Sequence, residues 1–134
     1  MKIAVLTSDG SVVAWGDANF GGDASAVDSQ LVDAVGIAST QYAFAARLQG
    51  GGVVAWGDAK TGGYIPPAKQ ALLSDVVALY SNEVAFVALT STGTVVTWGD
   101  DDAGGDSSGV DSELVNVQSI ESSGSAFTAM CRAA

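Results

Sequence analysis

The chain has 134 residues, 48% of them hydrophobic and 15% charged, and its five basic and fifteen acidic side chains leave a formal charge of −10. That apolar content supports one modest core and excludes a disordered chain, while the acidic balance excludes nucleic acid and an anionic membrane surface, which need clustered Lys and Arg. The absence of histidine and the single cysteine, Cys131, remove the usual general base, the commonest metal ligand and any internal disulfide.

In chain order, Ile3-Ala4-Val5-Leu6 is a short β-rich run. Its four apolar residues are too few for a signal-peptide core. An Asp9-Gly10 turn leads into Val12-Val13-Ala14-Trp15-Gly16-Asp17. A Gly-bearing turn between two such runs predicts a hairpin. Leu31, Ala34, Ile37 and Ser39 come next. Their spacing permits one helical turn, but Val, Ile, Ser and Thr dominate the later half. The segment is predicted as a turn or short 3₁₀ piece running into a strand.

The same three elements then return. Phe44-Ala45-Ala46-Arg47, Gly50-Gly51, Val53-Val54-Ala55-Trp56-Gly57-Asp58 and Leu73, Val76, Leu79, Ser81 form the next set. Phe86-Val87-Ala88-Leu89, Thr92-Gly93, Val95-Val96-Thr97-Trp98-Gly99-Asp100 and Leu114, Val117, Ile120, Ser122 form another. Phe127-Thr128-Ala129-Met130 begins one more copy. The tryptophans are 41 and 42 residues apart, and the extra residue falls in the loop that holds Pro66-Pro67. A period near 41 fits a propeller blade. The Trp strand is apolar at successive positions, as a strand buried on both faces should be. The expected fold is all-β: three tandem propeller-like blades forming an open partial β-propeller. Residues 1–134 make a single domain, with a fourth copy of the Phe-Ala strand at 126–131.

The unit Gly-x-Val-Val-x-Trp-Gly-Asp, Gly-Gly, Leu-x-x-Val-x-x-Ile-x-Ser, Ala-Phe-x-Ala-Leu resembles the regulator of chromosome condensation repeat, from Ile3 to Met130. The resemblance implies a β-propeller, usually of seven blades. Two places depart from it. Tyr42, Val84 and Ser125 stand where that family often has His, and Gly21-Gly22, Gly62-Gly63 and Gly104-Gly105 stand where it often has Gly-Gln-Leu-Gly. The family's chromatin and nucleotide-exchange surfaces have no counterpart here. The wording also resembles short tandem repeats of dinoflagellate algae, which adds a peripheral subunit of an organellar, photosynthetic complex to the candidate roles.

Propellers close with about four to eight blades, so three leave two open ends. Repeat proteins usually end in polar caps, yet Ile3-Ala4-Val5-Leu6 and Ala126-Phe127-Thr128-Ala129-Met130 both read as core. Each wet apolar side chain forfeits about 1.5–3 kcal/mol, against a typical stability of about 5–15 kcal/mol. The expected partners are therefore a protein or a second copy, bound through exposed end blades, unless the chain is part of a longer array. No segment approaches the ~20 apolar residues of a membrane span. The expectation is a soluble chain without direct membrane insertion, in the cytoplasm or an organelle lumen or stroma.

The candidate partner-binding residues are Lys60, Tyr64, Ile65, Pro66, Pro67 and Lys69, which break the repeat in its second loop, together with Phe127 and Met130 at the surplus strand. Loops on a rigid scaffold commonly carry binding. Trp15, Trp56 and Trp98 read as core anchors, with a lectin-like aromatic platform as the competing role. The carboxylates after each Trp strand (Asp17, Asp23, Asp28, and Asp100, Asp101, Asp102, Asp106, Asp111) read as turn chemistry. A calcium loop is the alternative, but the spacing is not that of an EF-hand. No cofactor and no metal are expected. Arg47 replaces an apolar repeat residue and is expected in an ion pair with an Asp, with a partner-facing side chain as the alternative, and Cys131 is expected as a buried thiol. Without histidine or a phosphate-binding glycine loop, the chain is read as noncatalytic.

Overall fold

A computed structural model describes residues 2–107, 109 and 113–131. The fold is all-β. The strands are β1 (Lys2–Leu6), β2 (Val12–Gly16), β3 (Ala34–Ser39), β4 (Ala43–Leu48), β5 (Val53–Gly57), β6 (Val76–Ser81), β7 (Ala85–Thr90), β8 (Val95–Gly99), β9 (Val117–Ser122) and β10 (Phe127–Cys131). They form four antiparallel sheets, β1-β2, β3-β4-β5, β6-β7-β8 and β9-β10, and none of these sheets closes on itself. The two middle sheets have three strands. Among the described residues, the first and last sheets have two strands, with no counterpart of β3 in the first or of β5 in the last.

Strand alternation explains how consecutive sheets share a core. Along β4, Phe44 and Ala46 join a cluster with Val12, Val54 and Trp56, while Ala43 and Ala45 join a second cluster with Val76, Phe86 and Trp98. Successive side chains point to opposite faces, so β4 is buried on both. All six residues of β7 are buried for the same reason, and Val87 and Leu89 form a third cluster with Val117 and Ile120. Alanine dominates β4 because a sheet lies against each of its faces. The leading strands run in a row, with β1 against β3, β3 against β6 and β6 against β9.

One backbone device recurs between sheets. The turn glycine of each hairpin accepts from the first residue of the next sheet: Ala34 N–H donates to the Gly10 carbonyl, Val76 N–H to Gly51 and Val117 N–H to Gly93. The preceding residues, Asp33, Asp75 and Asn116, are left-handed, with φ of 57°, 55° and 53°. Asp and Asn tolerate that region better than other side-chain-bearing residues. A Cβ on Gly51 would lie 2.7 Å from the Asp75 nitrogen, so the contact requires glycine.

The segment before each leading strand is a turn. A 3₁₀ turn at Asp28–Gln30 precedes β3, and one α-helical turn, α1 (Pro67–Gln70), precedes β6. Proline is suited to the first helical position because no backbone N–H is needed there. The bulges that shift register between Ala34 and Gly36 and between Val76 and Ala78 leave Val35 and Val77 exposed.

In the β1–β2 turn, the Thr7 and Ser11 hydroxyls and the Ser11 N–H all donate to the Asp9 carboxylate. The Thr7 hydroxyl, then that of Ser11, then the Ser11 amide hold its pKa down to about 2. A carboxylate lowered from about 3.9 adds stability above about pH 4 and loses it as pH falls towards 2. D9N should flatten that part of the acid limb, which carboxyl NMR titration together with melts across the window would detect.

Candidate functional site

The three tryptophans occupy the same place in β2, β5 and β8 but have different surroundings. Trp56 is 4% exposed and Trp98 1%, whereas Trp15 is 47% exposed. The Trp56 indole N–H donates to the Gly21 carbonyl at 3.1 Å, and Trp98 donates to Gly62 at 3.1 Å. Each acceptor belongs to the loop of the preceding sheet. Each buried indole also stacks on the phenylalanine opposite it, Phe44 on Trp56 at 5.6 Å and Phe86 on Trp98 at 5.4 Å. Among the described residues no sheet packs over Trp15, and Ile3 stands opposite it in place of phenylalanine. The core-anchor role therefore holds for two tryptophans, and the three do not form equivalent exposed platforms.

The face around Trp15 is apolar. By alternation Val13 and Val5 lie on it, 52% and 42% exposed. The opposite face of the same sheet carries Ala4, Leu6, Val12 and Ala14 into the first cluster. Lys2 spans this junction, with its ammonium 3.7 Å from the Phe44 ring centroid and 3.0 Å from the Ala43 carbonyl. Burial lowers its pKa.

At the other end, the expectation of a uniformly core-like surface needs correction. Phe127 and Ala129 turn inward onto the third cluster. Thr128 pairs across from Glu121 and Met130 from Ser119, so the outer face of β9-β10 is polar apart from Met130, which is 61% exposed. Phe127 and Met130 therefore point to opposite faces. Alternation along β10 separates residues three apart, and a reading of the run as uniformly apolar overlooks this.

Beside the free edge of β10 lies a cleft of about 430 Å³. Val95, Thr97 and Gly104 form one wall and Phe127 and Ala129 another. Gly104 has φ of 102°, and a Cβ there would lie 2.6 Å from the Phe127 ring. Gly62 sits on Phe86 in the same way. Phe127 is thus already seated where Phe44 and Phe86 sit at the inner junctions. Among the described residues, no indole donates to the Gly104 carbonyl. Repeat alignment carried the signal for this cleft, because it sets Phe127 in register with Phe44 and Phe86.

The second loop is a separate surface. Lys60, Tyr64 and Pro67 are exposed, Pro66 and Lys69 partly so, and Ile65 packs against the second cluster. These residues are contiguous with one another and distant in sequence from the two ends. The Asp side chains serve the turns: Asp17 accepts from the Asn19 N–H, Asp23 from Ser25, Asp100 from Asp102, and Asp58 from the Thr61 hydroxyl. The Ser25 hydrogen bonds lower the pKa of Asp23. Asp111 lies outside the described residues. Among the described residues, no group of three His, Cys, Asp or Glu could hold a metal ion. Arg47 departs from expectation, since no ion pair forms on it among the described residues. Its guanidinium lies over Gly36, where a Cβ would come within 3.8 Å of it. The missing side chain of Gly36 gives the long Arg47 stem a place to lie. Cys131 is exposed, because it ends an edge strand. Among the described residues, no helix is long and apolar enough to cross a membrane.

No protein-family model and no curated protein matches the chain.

The two classes of tryptophan should separate in stability. W98F leaves the Gly62 carbonyl buried without its donor and should cost about 1–3 kcal/mol. W15F should stay within about 0.5 kcal/mol of the parent. Urea unfolding of both variants checks the contrast.

Proposed function

We propose that the chain is a noncatalytic protein-interaction module: an open partial β-propeller of repeats resembling the regulator of chromosome condensation type, working through completion of its ends by another protein surface. The observation that carries the reading is the exposed apolar face at Trp15, Val13 and Val5. The same positions in the next two sheets are covered by a preceding sheet. An exposed apolar patch of this kind marks an interaction site. The partner is either another copy or the matching surface of a larger assembly, to which the chain would be an accessory subunit. The absence of histidine from the sequence and the use of the loop carboxylates as turn caps favour binding over catalysis. The burial of Trp56 and Trp98 supports binding through an end face over a three-site lectin.

Light scattering on a sizing column tests this reading. The expected mass exceeds the 13.4 kDa of one chain and rises with concentration. V13E should return it towards the single-chain value with little change in the unfolding midpoint, since Val13 is already half exposed. A monodisperse single-chain mass at the highest soluble concentration would overturn completion by a second copy. Unchanged association of V13E would remove the apolar face from the interface.

A further inference from the structure

We infer that the cleft beside β10 is the seat of a tryptophan strand, and that its occupant is β2 of a second copy of this chain. The inference deepens the association proposed above and rests on it. The two inner junctions define what such a cleft holds. At the first, Val54 and Trp56 pack on Val12, Ala14 and the Gly21 loop. At the second, Val96 and Trp98 pack on Val53, Ala55 and the Gly62 loop. The third junction offers a matching surface in Val95, Thr97 and the Gly104 loop, with Phe127 in place and, among the described residues, no indole stacked on it as on Phe44 and Phe86. The missing group is an indole that donates to the Gly104 carbonyl and covers the Phe127 ring.

This chain carries one tryptophan strand whose indole has no acceptor among the described residues and is half exposed. That strand is β2. Its present partner, β1, is the repeat counterpart of β10. Exchanging β1 of one copy for β10 of another replaces one five-residue antiparallel pairing with an equivalent one. The ladder hydrogen bonds are conserved. The exchange adds the indole bond, the ring stack and burial of Val13 and Trp15, and it completes the third strand of the last sheet. The contact is head-to-tail, so it forms an open chain, or a closed pair when both junctions engage.

The register follows from the inner sheets. Phe44 stands opposite Trp56 and Phe86 opposite Trp98, which sets Phe127 opposite Trp15 of the second copy. Four residues further on, the Leu48 N–H donates to the Gly52 carbonyl and the Thr90 N–H to Thr94. The matching pair across the junction is Cys131 and Ser11. Opposed residues in an antiparallel ladder have Cα atoms about 4.5–5.5 Å apart, within disulfide reach.

The test is oxidation of S11C, whose new thiol and the native Cys131 should cross-link two copies. A reducible band at twice the chain mass or its multiples is expected on a non-reducing gel. W15A added to S11C should reduce that band several-fold. S29C, on an exposed loop away from the junction, should give far less. Equal cross-linking by S29C, or by S11C with W15A, would show random collision and overturn the inference. If light scattering reports association but S11C does not cross-link, the strand exchange is wrong while association through the ends stands. If the chain is monomeric and S11C does not cross-link, both fall.

Discussion

Each inner junction between sheets hangs on an indole that reaches back to the loop of the sheet before it. The Trp56 and Trp98 N–H groups would each be buried without a partner, and the Gly21 and Gly62 carbonyls accept them. A buried indole needs such a partner. The loop backbone must come close to the phenylalanine of the next sheet, so the acceptor is glycine. Around this contact the Phe-Trp stack and the alternating alanines of β4 fall into place. No buried side-chain polar atom among the described residues lacks a hydrogen bond.

The same contact explains why the ends differ. A junction needs a loop from one sheet and an indole from the next. Among the described residues, the Trp15 indole of the first sheet meets no loop carbonyl, and the Gly104 loop of the last junction meets no indole. The two half-junctions are complementary and do not duplicate each other. This leaves an exposed apolar face at one end and an open-edged cleft under a mostly polar outer face at the other. Unpaired strand edges and apolar faces are where β-sheets acquire partners, which is the ground for the association proposed above.

The acidic composition fits this picture. The loop carboxylates cap 3₁₀ turns and accept backbone amides in positions that repeat around Asp17 and Asp100. Asp17 and Asp100 lie at or near the surface of a chain of net charge −10. The second loop, with Lys60 and Lys69, departs from this and carries the α-helical turn α1 where the first loop has a 3₁₀ turn.

Much of this was legible in the residues. The recurrence of Val-Val-x-Trp-Gly-Asp and Phe-x-Ala located the strands and their hairpins, because β-branched runs separated by Gly turns have few alternative local structures. The turn running into the third strand was also readable, from its Ser, Val and Ile content. Sequence did not give the face to which each side chain turns once the sheets are packed. Trp15 and Trp98 sit in nearly identical words, and only the presence or absence of a preceding sheet makes one half exposed and the other buried. Phe127 and Met130 share one apolar run but point apart, because strand alternation is expressed only against a neighbour. Arg47 found room over Gly36, a residue eleven positions away that cross-strand pairing brought opposite it. Local pattern set the elements, since backbone propensity and turn chemistry act over a few residues. Burial was decided by the tertiary structure, since it depends on which surface another part of the chain happens to cover.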